Sequence, residues 1–416
     1  MLVGVDVTSI ERVGALAARS PRFVSRIYTP HEQAACAGKP QRWASSWAAK
    51  EAVKKLYSSG GAAMPAYRDI EVVRSRGRAP RIRVRGEETN IALSLTHDAG
   101  VAIAVAVRGR RAGPGRPDVP EGLRLPDRPD DGNKGTFGRV LVVAGARGYT
   151  GAPQLAAMGA ARGGAGLVTL CVPEGIYAIV AAHSLEVMPA PLPDGGTGVL
   201  SRDGLETLQE RLRTADALVI GPGIGRAQET EALLFDVLRS LPSPAVVDAD
   251  ALNLAAARDF DWHLCTQPVV ITPHPAEMAR LAGIETAVVQ SDRTGLARAY
   301  ARERGVIVVL KGAETVVASP AGKVHVDTHR VVALATGGTG DVLAGLIGSL
   351  LAQGLDAFDA AVAGVTIHAE GGLLVQAKRG RAGGLASDLL DALPAAQERI
   401  RQAIEQRNRR PVTDRR

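Results

Sequence analysis

The sequence predicts an α/β chain of two domains: a small α+β domain over residues 1–108, then a larger one whose mostly parallel sheet carries helices on both faces. Three observations carry this. At 416 residues the chain exceeds what one hydrophobic core usually organises. From Arg108 to Asn133 the run RGRRAGPGRPDVPEGLRLPDRPDDGN is dense in Pro, Gly and charge without apolar periodicity, which places a linker over residues 109–131. Beyond it, the apolar runs RVLVVAGA, GLVTLCV, DALVIGPG, PAVVDAD, PVVITPH and VIVVLKG alternate with Ala/Leu-rich helical stretches, as buried parallel strands and their crossover helices do. The large domain is expected over residues 132–400, followed by a polar, fraying tail over 401–416.

Composition narrows the classes of function. Cys36, Cys171 and Cys265 are far apart and form no paired spacing, which argues against a disulfide framework or a thiolate metal site and fits a reducing compartment. The amino terminus MLVGVDV begins like a strand, without a basic or apolar leader, and no later run is expected to reach membrane-spanning length. A soluble, cytoplasmic protein without a membrane partner is therefore expected. Residues 1–108 hold 17 Lys+Arg against 9 Asp+Glu, a balance of +8, while the remainder stands at −1. That asymmetry points to an acidic partner or a polyphosphate ligand for the first domain. Nucleic acid is disfavoured, because only 3% of residues are aromatic and no recognition motif is present.

In the first domain, GVDVTSIERV places Asp6 in a strand that feeds a helix. In SSWAAKEAVKKLYS, a helical pattern turns Trp47, Val53 and the alanines inward and Lys50, Glu51, Lys54 and Lys55 outward. A carboxylate in a buried strand needs a partner, and Asp6 with Glu51 would offer two hard oxygen ligands to magnesium, with lysines beside them to hold a diphosphate. A solvated Glu/Lys face is the plainer reading of the same helix.

These pieces, followed by DIEVVRSRGRAPRIRV and LSLTHDAGVAIAVAV, resemble the holo-acyl-carrier-protein synthase family across residues 1–108. The resemblance implies transfer of phosphopantetheine from coenzyme A (CoA) to a serine of acyl carrier protein. It implies Asp6 and Glu51 as magnesium ligands, Lys55 as a phosphate contact, and His97 with Asp98 near the reacting phosphate. Two departures stand out: the stretch Val84–His97 is shorter than in the family, and KLYSSGG replaces an expected Gly-Thr-Gly turn.

In the second domain the candidate ligand loops follow apolar strands, where open α/β sheets bind ligands. ALATGGTGDVLAG holds a Gly-rich bend, Gly337 to Gly340, then Asp341 and a long apolar helix. Unobstructed helix-start amides suit a phosphate, and Asp341 could take a hydroxyl proton, although a simple helix cap is the alternative. GPGIG, Gly221 to Gly225, permits close backbone approach. His274 lies between two prolines, Lys311 opens LKGAET, and Asp248 and Asp250 are candidates for magnesium, with helix capping preferred for Asp250.

Together these loops resemble the ribokinase-like fold, a three-layer α/β/α arrangement, and more closely the ADP/ATP-dependent NAD(P)H-hydrate dehydratases. KGTFGRV, GPGIG, DADALN, TPHPAEM, LKGAET, GGTGDVLAG and GLASDLL occur in the family's order across residues 132–397. The resemblance implies ADP-driven repair of NAD(P)H hydrate, with ATP as the other donor. Ala152, Gly223, His274 and Asp341 then match substrate contacts, and Lys311, Gly312, Ala313, Glu314, Thr315 and Gly340 the adenine-nucleotide site. One departure is Asp327, Thr328, His329 and Arg330, where an Asn followed by a Thr-Gly turn is expected. A small-molecule kinase carrying a non-catalytic oligomerisation module is the rival reading, and a homo-oligomer is expected either way.

Overall fold

The computed structural model describes residues 2–59, 63–74, 79–108 and 117–408. The chain divides into two compact units, Met1–Gly115 and Arg116–Arg416.

In the smaller unit, strand Leu2–Ser9 pairs antiparallel with Val101–Arg108, which pairs antiparallel with Ile91–Asp98. The Pro40–Ser59 helix lies on this sheet at Gly4, where a Cβ would stand 1.9 Å from the Ala52 carbonyl oxygen. Ala48, Ala49, Ala52, Val53 and Leu56 seal that contact. Lys50 departs from the outward position expected of it: its side chain is fully buried, 2.7 Å from Glu32, and donates to the carbonyls of Tyr67 and Ile70. The helical pattern could not reveal this, because Glu32 sits on another helix, Pro30–Cys36. The KLYSSGG turn falls partly outside the described residues.

The larger unit is built on a nine-stranded sheet. Its spatial order is Val324–Val326, Val316–Ala318, Ile307–Leu310, Val269–Ile271, Ala245–Val247, Ala217–Ile220, Arg139–Val143, Leu167–Pro173 and Met188–Leu192. All neighbours are parallel except the first two pairs. Successive residues serve opposite cores: Val140 and Val142 face one, Leu141 and Val143 the other. That two-sided burial explains the uninterrupted apolar runs. Helices Gly151–Arg162 and Thr339–Ala352 pack through small residues. A Cβ on Gly345 would lie 1.9 Å from the Ala156 oxygen, and one on Gly159 2.5 Å from the Val342 oxygen.

Three expectations need correction. Residues 117–131 are not linker: Leu123 enters a core of the larger unit, Arg128 stacks 4.3 Å over the Phe137 ring, and the Pro126 and Pro120 carbonyls accept from Arg401 and Arg407. Residues 109–116 lie outside the described part of the chain. The tail from Arg401 instead continues the Ala386–Asn408 helix, with Arg401 and Arg407 donating to residues 117–131, while residues 409–416 are not described. Finally, Ala357–Arg379 is 23 residues long and, by length and composition, long and apolar enough to cross a membrane; here it is mostly buried against the helices on either side.

The buried Lys50–Glu32 pair yields a stability test. Lys50→Met leaves the Glu32 carboxylate buried beside two backbone donors, and such broken pairs cost about 3–5 kcal/mol. Urea unfolding should show that loss in the smaller unit, and adding Glu32→Gln should restore much of it.

Candidate functional site

Four adjacent parallel strands of the larger unit end at one edge of the sheet, which brings together the loops that follow them: Gly221–Gly225, Asp248–Asp250, Thr272–His274 and Lys311–Thr315. The amino end of the Thr339–Ala352 helix joins them.

Lys311 is the centre. Its ammonium lies 2.7 Å from Asp248 Oδ1, which also accepts from Thr272 Oγ1 at 2.7 Å. A Cβ on Gly340 would stand 3.2 Å from the same ammonium, so the lysine lies against the Gly-rich bend. Gly338 takes φ 88° to start the helix, a left-handed conformation that favours glycine. A Cβ on Gly337 would meet nothing within 4 Å, so the bend opens onto free space. The amides of Gly340 and Asp341 begin the helix, where no earlier turn supplies acceptors, and the helix end is partially positive. The arrangement is a seat for an anion.

Asp341 is half-buried beside it. Burial and the neighbouring Asp248 charge push its carboxyl up to about 7, against the pull of Lys311. Glu277 is likewise pushed up to about 7, first by burial, with Lys311 opposing. Burial alone would lower Lys311, but the charges of Asp248 and Glu277 outweigh it and raise the ammonium. The cluster therefore keeps its cation and lets two acids hold their protons up to about neutrality.

His274 caps the Pro275–Ala282 helix, its Nδ1 accepting from the amides of Ala276 and Glu277 at 3.1 and 3.3 Å. With Nδ1 committed, the ring proton sits on Nε2, 3.3 Å from Glu277 Oε1. Burial, then Lys311, lowers its pKa. His274 is thus a neutral hydrogen-bond donor, half-exposed, rather than a base. Gly223 adopts φ 63°, and a Cβ there would lie 3.1 Å from that of Ala152, so these two expected substrate contacts adjoin.

A cavity of about 370 Å³ is lined in part by Gly340 and Lys311. Gly312, Ala313 and Thr315 line it, and Thr315 Oγ1 closes the loop onto the Gly312 carbonyl at 3.0 Å. Val332, Leu334, Leu343 and Val365 make its apolar wall. Glu314 sits at φ 62° and pairs with Arg330. Behind the loop, Arg293 donates to the carbonyls of Leu310, Lys311 and Glu314. A Cβ on Gly312 would meet the Arg293 guanidinium at 2.9 Å.

Two roles differ from expectation. Asp250 does not cap its own helix, which is preceded by Ala249 at φ 54°; its carboxylate accepts from the Gly225 amide at 3.1 Å and from Arg226. Asp248 faces the lysine ammonium, so a cation already neutralises the oxygen that magnesium would need. Sequence reasoning missed Thr272, Glu277, Arg293 and His368. The His368 ring donates Nε2–H to the Thr339 carbonyl at 2.9 Å, and burial lowers its pKa to about 4. The capping-box spacing of Glu277 three residues after His274 was the one available signal.

In the smaller unit, Lys55 donates to Asp6 Oδ1 at 2.8 Å, and Thr8 Oγ1 to Asp6 Oδ2 at 3.0 Å. The Tyr67 hydroxyl donates to Glu51. Burial, then the hydrogen bond to Glu51 and the charges of Glu51 and Asp6, raise the pKa of Tyr67, so both carboxylates face this phenol. Register places His97 across Ala102 from Thr8, on the face that carries Asp6. His97 is exposed and, among the described residues, bonds to neither Asp6 nor Glu51, while Asp98 accepts from the Ala99 amide in the hairpin turn.

Comparison with known proteins follows this division. A family described as NAD(P)H-hydrate dehydratase matches residues 140–395, and the 4'-phosphopantetheinyl transferase superfamily matches residues 2–106. A bifunctional NAD(P)H-hydrate repair enzyme of Moorella thermoacetica is 45% identical over 285 residues, 68% of this chain and 53% of that one. This chain thus spans about half the length of the bifunctional relatives it matches. An ADP-dependent (S)-NAD(P)H-hydrate dehydratase of Neisseria meningitidis is 38% identical over 270 residues, 63% of this chain and 87% of its own length. The crystal structure of an ADP/ATP-dependent NAD(P)H-hydrate dehydratase from Bacillus subtilis, co-crystallised with ATP and Mg2+, matches with a TM-score of 0.57 at 29% identity. It covers 66% of this chain and 94% of that one. With its ribokinase-like sheet and the loops at its edge, the chain belongs to the NAD(P)H-hydrate dehydratase family, preceded by a phosphopantetheinyl-transferase-like domain.

Proposed function

We propose that the larger unit returns hydrated NAD(P)H to NAD(P)H at the expense of ADP, releasing AMP and phosphate. The observation that carries this reading is Asp341, a carboxyl held near neutrality beside Lys311 at the head of an open anion bend. Asp341 takes the proton of the hydroxyl on the hydrated nicotinamide ring as that oxygen attacks the terminal phosphorus of ADP, and AMP leaves. The bend amides and Lys311 stabilise the charge on the migrating group. The carbon–oxygen bond then breaks, phosphate departs with the electron pair, and the neighbouring ring carbon loses a proton to restore the double bond. His274, with its proton on Nε2, orients the ring as a donor, and the loops around Ala152 and Gly223 set the distance of approach.

Magnesium would enter with the diphosphate and offset its charge; among the described residues no group of three or more His, Cys, Asp or Glu could hold it alone. Asp341→Asn should lower kcat about 100- to 10,000-fold with little change in KM for ADP. Recovery of dihydropyridine absorbance from hydrated NADH measures this directly. Absence of recovery by the unmodified protein, with phosphorylation of an alcohol instead, would favour a kinase. Because the base must be ionised, the wild-type rate should rise with pH through about 7, falling about tenfold for each unit below it.

For the smaller unit we infer phosphopantetheine transfer from CoA to a serine of acyl carrier protein. Support comes from Asp6 and Glu51 converging on Tyr67, with Lys55 beside them: two carboxylates to share a magnesium with the CoA diphosphate, and a cation for its phosphate. The +8 balance of residues 1–108 suits both acidic ligands. Apo carrier protein incubated with CoA and magnesium should gain one phosphopantetheine by mass spectrometry, and Glu51→Gln should abolish the gain. An unmodified carrier would make this unit a non-catalytic module.

A further inference from the structure

The cavity beside Gly340 is a poor receptacle for a polyphosphate until its charges are counted. Lys311, His329 and Arg330 line it, and each is already paired with a carboxylate: Asp248, Asp327 and Glu314 respectively. Asp327 is itself a lining residue and only 5% exposed. An ionised carboxylate in the wall of an anion site opposes the ligand unless something neutralises it. Asp327 Oδ1 accepts from both the amide and Nδ1 of His329, each at 2.9 Å. That pair of bonds places the imidazole against the cavity wall and commits Nδ1, so a second proton can only sit on Nε2.

We propose that His329, positioned by Asp327, is a nucleotide-recognition residue, whose imidazolium cancels the Asp327 charge and donates from Nε2 to the nucleotide. The inference rests on the ADP-dependent reading above. The charged groups around His329 agree with it. Its pKa is raised by the hydrogen bond to Asp327, against burial, and further by the charges of Asp327, Asp118 and Glu370. Asp118 comes from the segment entering the unit; Glu370 comes from the Ala357–Arg379 helix and is paired with Arg399. Arg330, next in the chain, is held by Glu314, and His325, whose pKa is lowered by burial, also feels Asp327 and Asp118. His368, on the same cavity, stays neutral through the physiological range and cannot supply the charge. An anion that binds the imidazolium form draws a proton onto His329 wherever the free ring is neutral, so ADP affinity is greatest below the folded pKa of His329 and falls as pH rises through it.

Calorimetric titration of the full chain with ADP tests this from pH ~6 to ~8.5, in two buffers of different ionisation enthalpy. The wild type should take up protons on binding and weaken as pH rises. His329→Gln should bind on the order of tenfold more weakly at the acidic end, with that proton linkage gone. His329→Lys should bind tightly without the pH dependence in this window. Asp327→Asn, which retains the acceptor oxygen, should shift the loss of affinity to lower pH. His329→Gln that binds ADP as the wild type does, with the same proton uptake, overturns the assignment of His329 alone. A wild-type protein that binds no ADP at any pH overturns both this and the donor reading.

Discussion

One ammonium group shared among carboxylates organises the larger unit's site. Lys311 is held 2.7 Å from Asp248, lies against Gly340 and feels Glu277 and Asp341. So many ionisable groups in a poorly solvated edge cannot all carry charge, since each desolvated ion is costly unless matched. The lysine keeps its own. Asp341 and Glu277 hold their protons up to about neutrality, and a pKa near the working pH is what a general base needs. Because these groups interact strongly, the near-neutral titrations belong to the cluster as well as to either acid.

Backbone packing makes the cluster possible. The helix that carries Asp341 approaches the Gly151–Arg162 helix so closely, through Gly345 and Gly159, that any larger side chain would push the anion bend away from Lys311. Arg293 serves the same end from behind, tying three carbonyls of the Lys311 loop. The Asp250 carboxylate joins the Gly223 loop to the strand end beside it. The loops expected to hold substrate and nucleotide are thereby built on adjacent strands of one sheet, together with the bend.

Much of this was legible in the residues. Two-sided apolar runs announced the parallel sheet, and GGTGD, GPGIG and LKGAET marked strand ends where glycine permits close approach. What stayed hidden depends on partners distant in sequence. The burial of Lys50 follows from Glu32 on another helix, and no helical periodicity encodes it. Residues 117–131 read as linker because Pro and charge mask a single core residue, Leu123, and because Arg401 and Arg407 lie nearly three hundred positions away. The Asp327–His329 couple registered only as a departure from an expected pattern. Its meaning appears once both residues stand in the cavity wall. Asp250 shows the converse, a plausible local cap whose side chain serves a neighbouring loop instead.

Asp341 keeps its proton up to about neutrality because it is buried beside Asp248. Carbon-13 NMR of aspartate carboxyl groups, titrated in the wild type and in Asp341→Asn, tests this most directly. A resonance with a midpoint at about 7 that disappears in the variant is the predicted result. If every aspartate resonance present only in the wild type titrates in the ordinary range, near ~4, the electrostatic basis of the site is wrong.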